Sequence, residues 1–127
     1  MDDKYEASGS LQYATVRSEL DGHGVRTISL NRPESLNAMN RQLIDDVAVA
    51  FDDANKDAST GAIVFTGVGR AFCAGDDLKD FADQTGGEAI ARAYVDAIQV
   101  ITRQLVLGQK MVVGAIHGWA VGGGFEW

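Results

Sequence analysis

Residues 114–127 read Gly-Ala-Ile-His-Gly-Trp-Ala-Val-Gly-Gly-Gly-Phe-Glu-Trp, and they join a predicted strand to a glycine-rich loop. The apolar run at 111–116 predicts the strand, and the loop holds three consecutive glycines, Gly122 to Gly124. Glycine lets the backbone turn sharply and lets another group approach its N–H closely. If a helix begins at the last of these glycines, its first N–H groups have no partner within the helix and lie at the positive end of the dipole. Such a corner, followed by the carboxylate of Glu126, suits an oxyanion with an acid or base beside it.

The overall composition is that of one globular domain, with 127 residues of which 46% are apolar and 23% charged. The formal net charge of −7 argues against general nucleic-acid binding and against binding to an anionic membrane surface. Cys73 is the single cysteine, which excludes an internal disulfide and fits a reducing compartment. The N-terminus lacks the pattern of a secretory signal, and no apolar run is long enough to span a bilayer. We therefore expect a cytoplasmic protein with a flexible N-terminus, residues 1–10, and one domain over 11–127.

Hydrophobic patterning predicts a hairpin followed by two long helices. Apolar and polar residues alternate over 11–17 and again over 25–30, with a glycine-containing turn between them, which is typical of two antiparallel strands. Apolar residues then recur at helical spacing over 41–56, after Asn40 as a candidate N-cap, and over 88–107, before a glycine. A short helical turn is expected at about 78–81.

Two short apolar runs, 62–66 and 111–116, predict buried parallel strands between and after these helices. Strand–helix–strand repetition indicates an α/β fold with a mainly parallel sheet. A glycine-bearing loop follows each of the two strands, and ligands in such folds lie where loops leave the carboxyl ends of strands. We therefore expect the loop at 67–77 and the loop around the triple glycine to face one another.

Each loop can supply one backbone N–H to a single oxygen atom. Ala74 is the candidate on the first loop and Gly123 the candidate on the second. Two converging N–H groups stabilise the negative oxygen of a thioester enolate or a tetrahedral adduct. Glu126, just beyond Gly123, is placed to move a proton to or from the carbon skeleton.

Each of these features also has a structural interpretation. The triple glycine can be a tight corner, Glu126 a solvated carboxylate at a helix start, and Asp76-Asp77 a helix N-cap. Cys73 and His117 are interpreted as structural, because neither is paired with a catalytic partner motif. Other motifs fail: the chain has no complete dinucleotide fingerprint, no phosphate-binding P-loop and too few histidines and cysteines for a metal site.

Three segments, taken together in this order, closely resemble the enoyl-CoA hydratase/isomerase (crotonase) superfamily. They are residues 31–39 (Asn-Arg-Pro-Glu-Ser-Leu-Asn-Ala-Met), 69–78 (Gly-Arg-Ala-Phe-Cys-Ala-Gly-Asp-Asp-Leu) and 115–126 (Ala-Ile-His-Gly-Trp-Ala-Val-Gly-Gly-Gly-Phe-Glu). The resemblance extends over nearly the whole chain from about residue 11. It implies a crotonase-like spiral of β–β–α turns with acyl-CoA thioesters as ligands, CoA being part of the substrate rather than a separate cofactor.

The resemblance also assigns site residues. It places the N–H groups of Ala74 and Gly123 on the thioester oxygen, and it makes Glu126 the first of two catalytic glutamates of the hydratases. The residues it implies for substrate binding are Ser35, Leu36, Gly75, Asp76, Asp77 and Gly122. A basic residue that often follows the proline in the family is replaced here by Glu34 and Ser35, so a phosphate contact must come from elsewhere, with Arg32 as one candidate.

The chain departs from the family in length, since family members are considerably longer and carry a second glutamate and oligomerising helices beyond this point. We therefore expect a fold truncated after the second loop: a truncated gene product, a proteolytic fragment or an incomplete sequence. The first functional hypothesis is an enoyl-CoA hydratase, with isomerase and hydrolase as related reactions, forming a trimer or hexamer at full length. The alternative is a non-catalytic acyl-CoA-binding remnant or an oligomerisation module.

Overall fold

A computed structural model describes residues 11–84 and 86–127, so the predicted flexible segment 1–10 lies outside the described residues. The strands are β1 (Leu11–Gln12), β2 (Val16–Leu20), β3 (Val25–Leu30), β4 (Ala62–Gly67), β5 (Ala71–Cys73), β6 (Met111–Gly114) and β7 (Trp119–Ala120). The helices are α1 (Arg41–Lys56), α2 (Leu78–Gln84), α3 (Glu88–Leu107) and α4 (Gly123–Glu126), with a 3-10 turn at Pro33–Ser35. None of the helices in the described ranges combines the length and the apolar character needed to cross a membrane.

The main sheet has the strand order β1-β2-β3-β4-β6. Strands β2 and β3 form the predicted antiparallel hairpin, and β3, β4 and β6 run parallel, so both predictions are confirmed. The continuous strand predicted over 11–17 is wrong, because the chain leaves the ladder before Val16. There the N–H and the hydroxyl of Thr15 both donate to the carboxylate of Asp46 on α1, over 2.8 and 2.7 Å.

Helix α1 has the predicted bounds and the predicted cap. The Asn40 side chain accepts a hydrogen bond from the N–H of Leu43 over 2.8 Å, which satisfies one of the unpaired donors of the first turn. The apolar face of the helix is fully buried; its residues are Leu43, Ile44, Val47, Ala50, Phe51 and Ala54. Phe51 packs edge-on against Phe65 of β4, and Phe65 against Phe72 of β5, so one aromatic row links the helix to both sheets.

The hydrophobic pattern does not predict the second sheet, in which β5 pairs in parallel with β7. These strands have two or three residues each, too few to show a hydrophobic period. The strand predicted over 111–116 ends at Gly114, and α4 begins at Gly123 rather than at Gly124. The last elements leave apolar side chains exposed; these are Met111, Val113, Ile116, Trp119, Val121 and Phe125.

A half-buried ion pair between β3 and the residue after α1 gives the fold a defined acid sensitivity. The guanidinium of Arg26, 2% exposed, donates to the carboxylate of Asp57 over 2.8 Å. The hydroxyl of Thr60, followed by Arg26 and the N–H of Ser59, lowers the pKa of Asp57 from 3.8 to about 2, although burial opposes the shift. Because the pKa is lower in the folded state, the stabilisation is present above about pH 4 and is lost as the pH falls toward 2.

We expect Asp57→Asn to lower the free energy of unfolding at pH 7 by about 2 kcal/mol and to flatten its decline between pH 4 and pH 2. Urea titrations at pH 7, 4 and 3 measure both effects. Asp45→Asn is the matched control, since the contact of Asp45 within the described ranges is an exposed pair with Arg41 one helical turn away. Equal acid slopes for wild type and Asp57→Asn would contradict the prediction.

Candidate active site

Asn37 connects the segment 31–39 to the loop at 67–77 through side-chain hydrogen bonds. Its side chain donates to the carbonyl oxygens of Val68 and Ala71, over 3.0 and 2.9 Å, and accepts from the N–H of Arg32 over 2.7 Å. The residue is fully buried and has a φ of 56°, a left-handed conformation that asparagine tolerates better than most residues. The sequence alone does not predict this role for Asn37, because two of its three partners, Val68 and Ala71, lie more than thirty positions away along the chain.

The two glycine-bearing loops lie side by side, as predicted. The N–H of Val121, which follows β7, donates to the carbonyl oxygen of Cys73 in β5 over 3.0 Å. A Cβ atom on Gly75 would lie 2.8 Å from the carbonyl oxygen of Val121, and one on Gly124 would lie 2.5 Å from that of Cys73. Only glycine therefore allows the loops to approach this closely.

The prediction that Ala74 supplies the first N–H donor must be corrected. The N–H of Ala74 donates to the carbonyl oxygen of Leu36 over 3.0 Å, so it is not free to bind a ligand oxygen. Leu36, which was predicted to contact substrate, fixes this loop through its carbonyl oxygen.

Asp76 has a free N–H on the first loop. The backbone groups on either side of it are hydrogen-bonded to Met39. The N–H of Met39 donates to the carbonyl oxygen of Gly75 over 2.8 Å, and the N–H of Asp77 donates to the carbonyl oxygen of Met39 over 2.9 Å. In such a bridge the N–H of Asp76 itself points away from Met39. Within residues 11–84 and 86–127 it has no hydrogen-bond acceptor.

The N–H of Gly123 is the corresponding group on the second loop. Gly123 is the first residue of α4, so its N–H has no acceptor within the helix, and the described residues supply none from elsewhere. Gly122, exposed and at a φ of 55°, is the residue before the helix, and its carbonyl oxygen accepts from Phe125 and Glu126. Each loop thus presents an N–H donor with no acceptor among the described residues, and the two backbones adjoin where Gly75 lies against Val121 and Gly122.

A cleft of about 380 Å³ opens beside the first loop. It is lined by Ser35, Ala38, Ala74, Asp76, Asp77, Leu78 and Lys79. Four of the residues predicted from the sequence are therefore brought together there, while Gly75 is buried beneath Val121. Glu126 and the triple glycine lie outside this lining.

Asp77 caps α2 and pairs with Arg32. One carboxylate oxygen accepts from the N–H of Lys79 over 3.1 Å, and the other lies 3.2 Å from the Arg32 guanidinium. Burial raises the pKa of Asp77, but the Lys79 N–H and the Arg32 guanidinium outweigh it, so the pKa is lowered overall. Arg32 also donates to the carbonyl oxygen of Ala38, which leaves it poorly placed for a ligand phosphate. Lys79 is the exposed cation at this cleft, and it forms no ion pair with any described residue.

Glu126 lies at the end of α4 with its carboxylate exposed and, among the described residues, without an ion-pair partner. The next residue, Trp127, packs against Phe65 with ring centroids 6.1 Å apart. This contact holds the end of α4 against the main sheet and leaves the preceding carboxylate in solvent.

Cys73 and His117 have structural positions, as predicted. Cys73 is buried, and burial raises the pKa of its thiol to about 11, which keeps it protonated and unreactive. His117 contacts the carbonyl oxygen of Gly69 through Nε2 over 2.7 Å. In the part of the chain that the structure describes, no three His, Cys, Asp or Glu side chains are grouped to hold a metal ion.

Comparison with known proteins shows what this chain is similar to. The sequence profile described as "Enoyl-CoA hydratase/isomerase" matches residues 21–127. An Arabidopsis thaliana protein named "Probable enoyl-CoA hydratase 1, peroxisomal" is 36% identical over 112 residues, which are 87% of this chain and 40% of that protein. A Mycobacterium tuberculosis protein named "Probable enoyl-CoA hydratase echA6" is 42% identical over 102 residues, 80% of this chain and 39% of that protein.

Solved structures agree with the sequence comparison. An enoyl-CoA hydratase/carnithine racemase from Magnetospirillum magneticum matches 91% of this chain and 43% of its own with a TM-score of 0.84 and 28% identity. The enoyl-CoA hydratase from Bacillus anthracis matches 88% of this chain and 43% of its own with a TM-score of 0.80 and 31% identity. This chain thus has a mixed α/β, crotonase-like fold and spans about 40% of the length of the curated relatives it matches. It belongs to the enoyl-CoA hydratase/isomerase family.

Proposed function

We propose that this chain binds the thioester group of an acyl-CoA and serves the hydration of an enoyl-CoA. The observation that carries the proposal is the pair of unpaired N–H groups, Asp76 and Gly123, on two adjoining loops. Preorganised donors of this kind stabilise the charge that develops on a carbonyl oxygen, and each contributes roughly 3–4 kcal/mol to lowering a barrier.

In the proposed reaction the oxygen of water bonds to the β-carbon of the enoyl thioester. The electron pair of the double bond moves toward the thioester oxygen, which accepts hydrogen bonds from the N–H groups of Asp76 and Gly123. One proton of the water then passes to the α-carbon through a carboxylate. Glu126 is the candidate for this carboxylate, since it follows Gly123 by three residues in the same helix and is exposed.

The CoA part of the substrate is proposed to lie along the cleft at Ser35 and Asp77. Lys79 replaces Arg32 as the candidate contact for a CoA phosphate, since Arg32 is held by Asp77 and Ala38. A cytoplasmic location and a homo-oligomeric state remain predictions, and the names of the relatives include peroxisomal and mitochondrial proteins.

A second candidate is an association module without turnover. The exposed apolar side chains on β6, β7 and α4 favour it, since exposed apolar patches of this kind mark interaction surfaces. Isomerase and hydrolase reactions would use the same two donors with other acid and base groups.

Two measurements on the purified polypeptide separate these functions. Hydration of crotonyl-CoA is followed by the loss of absorbance of the conjugated thioester, and binding of the saturated analogue butyryl-CoA by calorimetry. Binding together with hydration is the expected result. Binding without hydration would favour the non-catalytic candidate, and absence of both would overturn the proposed site.

A further inference from the structure

Tyr94, on α3, reaches the candidate site from a distant part of the chain. Its side chain is 3% exposed, and its hydroxyl donates a hydrogen bond to Oδ1 of Asp76. Its ring also packs edge-on against Phe81 of α2, with centroids 5.9 Å apart. The hydroxyl is therefore fixed in place by two helices and directed at the residue that supplies one of the free N–H groups.

Asp76 is an unfavourable residue at that position unless its side chain is restrained. Its N–H is proposed to hold a developing negative oxygen, whereas its carboxylate carries a negative charge on the same residue. Two unit charges of one sign within about 4 Å repel each other strongly enough at partial burial to disfavour an oxyanion at this N–H about tenfold or more. Aspartate side chains also hydrogen-bond to nearby backbone N–H groups, so a free carboxylate would compete with the ligand for its own N–H.

We propose that the Tyr94 hydroxyl holds the Asp76 carboxylate against α3, so that Asp76 presents its N–H to the ligand without presenting its charge. The inference rests on the proposed function, and Tyr94 is a positioning residue that acts through Asp76. Burial, and then the hydrogen bond to Asp76, raises the pKa of Tyr94, which keeps the phenol protonated and able to donate at neutral pH.

The test uses butyryl-CoA labelled with 13C at the carbonyl carbon, since this resonance moves when the carbonyl oxygen accepts hydrogen bonds. Tyr94→Phe is expected to reduce the displacement of the bound carbonyl resonance by more than half. It should weaken binding by about threefold, because the carbonyl oxygen of a saturated thioester carries only part of a negative charge. Tyr13→Phe is the matched control, because Tyr13 donates a comparable hydrogen bond to Asp53 over 2.7 Å on another part of the surface. Tyr13→Phe should change neither the affinity for butyryl-CoA nor the displacement of the carbonyl resonance.

The double variant Tyr94→Phe/Asp76→Ala distinguishes this role from a purely structural one. With the carboxylate absent, the double variant should match Asp76→Ala alone; a defect of the double variant relative to Asp76→Ala would overturn the inference. The double variant leaves no carboxylate unpaired, so the comparison remains valid even if Tyr94→Phe unfolds. Wild-type protein that binds without any carbonyl displacement would overturn the proposed oxyanion site itself, whereas normal displacement in Tyr94→Phe would overturn only the role of Tyr94.

Discussion

Glu126→Gln is expected to slow the hydration of crotonyl-CoA by about a hundredfold to ten-thousandfold, the usual contribution of a positioned acid or base. Glutamine keeps the size of the side chain and loses the ability to carry a proton. Since Glu126 is exposed and has no ion-pair partner among the described residues, the substitution removes no packing and no salt bridge. The dissociation constant of butyryl-CoA should therefore stay within about twofold of the wild-type value.

The matched control for this variant is Glu88→Gln. Glu88 is also an exposed helical glutamate, but it lies at the start of α3, where among the described residues it pairs with Arg92 over 3.3 Å. Glu88→Gln should hydrate crotonyl-CoA at the wild-type rate. Steady-state rates and calorimetric binding of both variants decide the matter, and an unchanged rate in Glu126→Gln would remove this residue from the proposed reaction.

Gly118→Ala is expected to destabilise the protein by about 2–5 kcal/mol, from a left-handed backbone conformation that alanine disfavours together with overpacking. Gly118 has a φ of 59°, and a Cβ atom there would lie 2.0 Å from the carbonyl oxygen of Arg70. The Cβ atom is attached directly to the backbone of residue 118, and the oxygen is part of the backbone of Arg70. Relieving the overlap therefore requires the backbone itself to move. The bridge between Ala71 and Gly118 would open, and with it the sheet that holds the two loops together.

Urea unfolding followed by circular dichroism measures this loss. Gly22→Ala serves as the control, since Gly22 lies in the turn between β2 and β3 and a Cβ atom there meets nothing within 4 Å. The control should unfold within about 0.5 kcal/mol of wild type, as surface substitutions usually do. Equal stabilities of the two alanine variants would show that the loops do not require glycine at position 118.

Local physical chemistry made the long elements predictable from sequence. The N-cap at Asn40 and the glycine after Leu107 mark the ends of α1 and α3, and the apolar runs mark β4 and β6. Each of these signals depends on residues a few positions apart, because helix caps and hydrophobic periods are local. Three motifs were enough to indicate the family, and the comparisons confirm it.

Tertiary structure alone decided which backbone groups are free. The sequence predicts the N–H of Ala74 as the first donor, but that N–H donates to the carbonyl oxygen of Leu36. The bridge to Met39 leaves the N–H of Asp76 unpaired among the described residues. Tyr94 meets Asp76 only because the fold brings α3 beside α2 and the first loop. A backbone N–H carries no side-chain signature, and its availability depends on which distant carbonyl reaches it, so the sequence determined the loops and the fold determined their donors.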